Sequence, residues 1–226
     1  MKSAVIVLDH NGYSLRALAL QDAHDNVFIT TPETHPHAYA ESIPVPHDWI
    51  PANDKISLNR RCWFKADAMA FAAVKHLNID ADFYWFIESD VAAEQVVWKR
   101  LFEKHKYNQT DHLTIFSSTI ETAPDFEGWS HSGTPDGVDL FSLLSIFRLS
   151  KRALNACIDS AEELRECFGE LAIPYVMKMN GFSHELIDPD GLLMDEHTMC
   201  AYPSKVRKHL NKINHPIKSN TYGVPR

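Results

Sequence analysis

The sequence predicts an α/β protein, an open sheet of buried strands flanked by helices, and three observations predict it. Phe83, Tyr84, Trp85, Phe86 and Ile87 form an unbroken run of aromatic and β-branched residues, the pattern of a central strand covered on both faces. Short apolar runs alternate along the chain with stretches of helical period, as strands and helices do in layered α/β folds. The central run ends abruptly in two carboxylates, Glu88 and Asp90, and in an open α/β sheet the ligand crevice lies just beyond the carboxyl ends of the strands.

Ala4 to Leu8 (AVIVL) reads as a buried strand, and Arg16 to Ala23 as a helix behind the Asn11-Gly12 turn. Val27 to Thr31 is a second strand. The next segment, Pro32 to Ile56, carries Pro44, Pro46 and Pro51 and reads mostly as loop, with at most a short strand around Ser42 to Val45. Trp63 to Leu77 is the clearest helix, because Phe64, Ala68, Phe71 and Val74 make an apolar stripe with Lys65, Asp67 and Lys75 around it. The central strand follows, and then residues 92 to 105 repeat the amphipathic pattern through Ala93, Val97 and Leu101.

Leu113 to Ser117 predicts another strand, and Glu121 to Val138 a long loop containing Gly128, Trp129, Gly133 and Gly137. Loops of that length in a compact domain are usually functional. Leu140 to Leu149 is apolar enough for strand or helix, with a strand favoured near its end. Lys151 to Cys167 reads as helical. A further helix opens at Gly169-Glu170, runs through Pro174 to Met179 and is stopped by Gly181; His184 to Ile187 is a short strand. Val206, Leu210 and Ile213 have the spacing of a short amphipathic helix in the tail.

In an extended segment the side chains at i and i+2 point the same way, so Glu88 and Asp90 should project together. Two adjacent carboxylates repel unless a cation lies between them. The competing reading is that they cap the helix that follows. A cap accounts for one acid, and a pair at the end of a buried strand points instead to a metal.

A chain of 226 residues can bury one substantial core, and a single domain is expected, with residues 1–110 as one half and 111–226 as the other. No stretch reaches the roughly 18 apolar residues of a membrane span, and the apolar part of MKSAVIVLDH is too short for a signal peptide, so a soluble, cytoplasmic protein is expected. Cys62, Cys157, Cys167 and Cys200 are scattered without a CxxC pair, which signals neither a zinc site nor a disulfide framework. The net charge of −8 argues against a protein that coats nucleic acid over its whole surface. Beyond Glu196 there is no acid, yet Lys205, Arg207, Lys208, Lys212, Lys218 and Arg226 all lie there. A basic tail on an acidic body suits either an anionic ligand or a solvated helix face.

The order strand, helix, strand, then FYWFIESDV and a helix, followed by GELAIPYVMKMNG and a terminal HPIK, resembles the glycosyltransferase type A superfamily, the nucleotide-diphospho-sugar transferases. The resemblance spans nearly the whole chain on short motifs. It implies a single-domain Rossmann-like mixed, mostly parallel sheet flanked by helices, with the nucleotide sugar bound by the first half and the acceptor by the second. That superfamily carries an acid-x-acid motif after a central strand, and Glu88-Ser89-Asp90 is similar, with Glu in the first place. By resemblance Asp90 and Glu88 hold a divalent ion, Glu88 also reaches the ribose, His215 is a third metal ligand and Lys218 faces the diphosphate. The helix edge bearing Lys65 and Asp67 would face the donor, and Asp9, just after the first strand, belongs to the same donor-binding set.

The implied activity is metal-dependent transfer of a sugar from a nucleoside diphosphate to a hydroxyl acceptor, in a glycan, a small molecule or a hydroxylated DNA base. Cleaving the sugar–diphosphate bond leaves negative charge that Mn²⁺ or Mg²⁺ with a lysine stabilises as it develops. Oxygen ligands suit either ion and a histidine favours Mn²⁺. If the anomeric centre inverts, a carboxylate of the second half takes the acceptor proton. Glu170 occupies the place where the family often keeps such a group, with Asp136 and Asp139 as alternatives, while an acid at a helix start is also common for the macrodipole alone. Trp129, followed by Ser130, His131 and Ser132, suits either stacking on a sugar or base or anchoring its loop.

Other classes fit less well. A sugar-phosphate nucleotidyltransferase is expected to place a Gly-rich basic loop after the first strand, where this chain has Asp9-His10-Asn11-Gly12-Tyr13. An aspartyl phosphatase would need Glu88 as its nucleophile. A non-catalytic carbohydrate- or nucleic-acid-binding module would not need the metal pair.

Overall fold

The computed structural model describes residues 1–9, 18–32, 42–46, 65–115, 117–119, 140–195, 198–199, 209 and 211–216. In chain order the elements are β1 (Ser3–Leu8), α1 (Leu18–Gln21), β2 (Val27–Pro32), β3 (Ile43–Val45), α2 (Ala66–Leu77), β4 (Phe83–Glu88) and α3 (Gln95–His105). They continue as β5 (His112–Thr114), β6 (Ser117–Thr119), β7 (Leu140–Ser142), β8 (Ile146–Ser150), α4 (Lys151–Asp159), α5 (Gly169–Met179) and β9 (His184–Leu186). Seven strands make one sheet in the order β3-β2-β1-β4-β8-β5-β9, and β6 pairs with β7 separately. β8 is antiparallel to both β4 and β5, and the other neighbouring pairs in the sheet are parallel. This is the mixed, mostly parallel sheet flanked by helices that the sequence predicts.

β4 stands in the middle of the sheet, and its residues are buried throughout. Tyr84 and Phe86 join Ala4, Ile6, Leu8, Phe147 and Leu149 in a core covered by α2, α4 and α5. Trp85 and Ile87 join Val5, Val7, Leu113 and Ile146 in a second core covered by α1 and α3. Alternate residues of one strand thus feed two cores, which is why β4 has no polar alternation. Each such side chain contributes roughly 1.5–3 kcal/mol by leaving water. Phe86 and Phe147 are register partners and stack with centroids 4.8 Å apart.

Local chemistry sets several element ends. α2 stops at Asn78, which adopts a left-handed φ of 48° while the Ile79 amide reaches back to the Val74 carbonyl at 3.3 Å. Ser150 caps α4 by accepting from the Ala153 amide at 3.2 Å. Arg148, buried in β8, donates to the carbonyls of His105, Asn108 and Thr110 and so caps the end of α3. Asp111 accepts from Ser150 Oγ at 2.7 Å, Arg152 Nε at 2.6 Å and the Ser183 amide at 3.1 Å, tying the β8–α4 junction to the approach to β9. Burial alone would raise its carboxyl, but the bonds from Arg152, Ser150 and Ser183 outweigh it and hold the group well below the ordinary carboxylate range.

Four expectations need correction. The helix expected from residue 92 begins at Gln95, because Ala92 exchanges both backbone hydrogen bonds with Asn214, at 2.9 and 2.8 Å. The helix expected to Cys167 ends at Asp159 and gives way to turns; its last turn has no cation, and Asp159, Glu162 and Glu163 oppose the macrodipole there. Leu113 to Ser117 is split between β5 and β6, which belong to different sheets. Residues 211–213 of the tail are not helical, although Ile213 is buried in the second core; Val206 and Leu210 lie outside the described residues. No helix among the described residues is long and apolar enough to cross a membrane.

Candidate metal centre

Glu88 is the last residue of β4, and its amide donates to the Ser145 carbonyl at 3.0 Å, just ahead of β8. The chain then turns at once, with the Val91 amide donating to the Glu88 carbonyl at 3.0 Å. Asp90 therefore sits in a tight turn rather than on a continued strand, and the turn brings its carboxylate back toward Glu88. This geometry replaces the extended i, i+2 projection expected from the sequence. It also excludes a capping role, since the cap position of α3 is Glu94.

His215 arrives from the far end of the sequence. The Ala92–Asn214 bridge seats its segment, and the His215 amide donates to the Thr198 carbonyl at 2.8 Å. Asn214, itself fully buried, clamps the preceding turn through Nδ2 bonds to the His209 and Lys212 carbonyls and an Oδ1 bond from the His209 amide. His215 Nε2 then lies 3.3 Å from Glu88 Oε2 and 3.4 Å from Asp90 Oδ1. One ligand atom from each of the three residues falls within 4.8 Å of the others, and all three side chains are buried.

The electrostatics of this trio suit a cation. Burial alone would lower the His215 imidazole, but hydrogen bonding and charge from Asp90 and Glu88 outweigh it and raise the group to about 9. Without a metal the imidazolium supplies the positive charge that two buried carboxylates require. Two carboxylate oxygens and an imidazole nitrogen are a donor set that Mn²⁺ accepts readily, and binding it would release the histidine proton.

Glu170 lies in the first turn of α5 and accepts from the Leu144 amide at 3.3 Å. Burial first, and then the charge of Glu88, raise its carboxyl to about 8, while the Leu144 bond and His215 act against them. Its carboxylate thus feels the trio. Asp9 is buried one step past the paired residues Leu8 and Glu88, at the same carboxyl edge, with its amide donating to the Thr30 carbonyl.

Lys65 and Asp67 are buried and joined to each other. The three N–H groups of Lys65 meet Asp67 Oδ2 at 3.0 Å, the Cys167 carbonyl at 2.8 Å and the Leu164 carbonyl at 3.4 Å, so none is left for a phosphate. The physical reason is that Ala66 to Val74 of α2 is buried continuously, which leaves its charges no solvent to face. Asp136, Asp139, Lys218 and the segment Trp129 to Ser132 lie outside the described residues, as do Lys205, Arg207, Lys208 and Arg226. Of the tail cations, Lys212 is described, and it is bound to the Gly191 carbonyl and Asp195. Asn214 and Leu144 carry no sequence signal of their own; the side-chain clamp of Asn214 and the backbone amide of Leu144 find their partners only in the assembled fold.

No family model and no curated protein matches the sequence. Among solved structures the chain is similar to a glycosyltransferase involved in the glycosylation of the major capsid of PBCV-1, at 12% identity over 96% of both chains and a TM-score of 0.48. It is similar to the 2-C-methyl-D-erythritol 4-phosphate cytidylyltransferase of Thermus thermophilus, at 11% identity over 90% of this chain and 95% of that one, with a TM-score of 0.46. The galactosyltransferase LgtC matches at 10% identity over 80% and 72% of the two chains, with a TM-score of 0.42. By their own descriptions these three are two glycosyltransferases and a cytidylyltransferase.

Proposed function

We propose that this protein is a metal-dependent glycosyltransferase that moves a sugar from a nucleoside-diphosphate donor to a hydroxyl acceptor. The observation that carries the reading is the convergence of Glu88, Asp90 and His215 at the carboxyl end of the central strand. These three would hold Mn²⁺ or Mg²⁺, which supplies Lewis-acid charge for the departing diphosphate. Glu88 and Asp9 stand at the sheet edge where a donor ribose would lie, and Lys218 is the cation assigned to the diphosphate. Glu170 accepts the acceptor proton as the new C–O bond forms and the bond to the diphosphate breaks. A carboxyl raised by burial to about 8 lies in the range where a general base works well near neutral pH. Asp136 and Asp139 are the alternative bases.

The test is thermal stability with a panel of nucleoside diphosphates and nucleotide sugars, each with and without Mn²⁺. A ligand held only by the folded state at a hundredfold excess over its Kd adds about 2.7 kcal/mol. A rise in Tm that needs both metal and one nucleotide sugar is expected, followed by release of the nucleoside diphosphate when acceptors are supplied. Release of pyrophosphate from a nucleoside triphosphate and a sugar phosphate would instead identify a nucleotidyltransferase. Carbohydrate or nucleic-acid binding indifferent to metal, with no shift from any nucleotide, would identify a binding module.

A further inference from the structure

We propose that Lys65 and Asp67 are positioning residues that set the reach of Glu170, a role that rests on the reading of Glu170 as the proton acceptor. Both side chains are buried, and they are joined to each other at 3.0 Å. The Lys65 ammonium also grips the carbonyls of Leu164 and Cys167, on the segment that leads directly into α5. The Asp67 carboxylate lies against the first residue of that helix. A Cβ placed on Gly169 would stand 2.6 Å from Asp67 Oδ1, 2.9 Å from its Cγ and 3.2 Å from Leu144 Cδ1. A side chain at position 169 would have to push the Asp67 carboxylate aside, and the neighbour across the gap, Leu144, is the residue whose amide donates to the Glu170 carboxylate.

Three segments far apart in sequence therefore meet at one point: the start of α2, the turn before β8 and the first turn of α5. The helix does little to secure this turn by itself. Its cap residue Phe168 offers no side-chain bond, and Pro174 has no N–H for the Glu170 carbonyl four residues earlier. A carboxylate beside an uncapped helix start is favoured by the macrodipole, which suits Asp67 to the place. The pair thus supplies from outside the restraint that α5 lacks, and the residue so restrained is Glu170.

The experiment measures Mn²⁺ affinity and Mn²⁺-dependent release of nucleoside diphosphate, using the nucleotide sugar that gives the largest thermal shift. It compares wild type with Asp67→Ala, Gly169→Ala and Glu170→Gln, and with each of the first two combined with Glu170→Gln. Gly169→Ala removes no charge, which keeps the test open should Asp67→Ala fail to fold. Misplacing a reacting group by about 1 Å costs on the order of 100-fold, so each single variant should lose about that much in kcat while KM for the donor and Mn²⁺ affinity stay unchanged. In the Glu170→Gln background neither substitution should lower kcat further, because the group being positioned is gone. Wild-type turnover with the same loss in both backgrounds, or with no loss in Gly169→Ala, overturns the inference alone. Absence of Mn²⁺-dependent turnover in wild type overturns the proposed function, and the inference with it.

Discussion

Replacing Glu170 by glutamine should make the protein more stable at neutral pH, and the gain should widen as pH rises. In the folded chain burial, followed by the charge of Glu88, raises this carboxyl from its ordinary 4.5 to about 8, whereas the unfolded chain releases the proton near the ordinary value. A group raised in this way gives its full stability only below the unfolded value and loses it as pH climbs through the window up to the folded one. Within that window the loss accrues at up to about 1.36 kcal/mol per pH unit. Near pH 7 the accumulated cost approaches about 3 kcal/mol. The side chain keeps some contact with solvent, so about 2 kcal/mol is the working expectation. Glutamine does not titrate, yet it retains an oxygen for the Leu144 amide. For a chain of this size, about 2 kcal/mol corresponds to roughly 4–8 °C in Tm. Thermal unfolding of both proteins without divalent metal, at about pH 5 and about pH 8, measures the gap directly. A gap that does not change with pH, or a variant less stable than wild type throughout, would refute the reasoning.

Asp90→Asn should leave the fold intact and abolish Mn²⁺-dependent stabilisation by the nucleotide, because it removes one of the two carboxylate ligands; a thermal shift equal to that of wild type would reject the metal role. Asp111→Ala should cost on the order of 3 kcal/mol, since it strips the partner from Ser150, Arg152 and Ser183 together. Because this carboxyl is depressed in the folded state, its contribution is present above the ordinary carboxylate value and lost as pH falls below it, so the difference between wild type and variant in denaturant titrations should shrink in acid.

β4 was legible because its residues report burial directly: five apolar side chains in succession admit no solvent face, and the structure buries all of them. β1, β2 and α5 were legible for similar reasons of period and composition. The pair Glu88 and Asp90 was legible as a pair, but the way it converges was not, since the turn at Ser89 depends on hydrogen bonds to β1 and to Glu88 itself. His215 came from family resemblance alone, for no local pattern tells that a histidine will return to a strand so far back in the chain. The burial of Lys65 and Asp67 was not legible, because an amphipathic pattern puts charges in solvent, whereas here both are buried and the segment ahead of α5 bonds Lys65. The start of α3 was set by Asn214, a partner that no helix propensity registers.

The reversal of β8 has a consequence for which changes this architecture tolerates. At the functional edge the parallel strands β1 and β4 are departing, and the turn that leaves β4 is fixed by the Ser89 and Val91 amides, which bond to the Leu8 and Glu88 carbonyls. β8 is arriving there, and its approach holds the Glu88 amide through the Ser145 carbonyl and the Glu170 carboxylate through the Leu144 amide. A single residue inserted between Ser142 and Ile146 would shift both contacts together, detuning ion binding and proton removal in one step. The short connection into β8 and the turn out of β4 are therefore both expected to keep constant length.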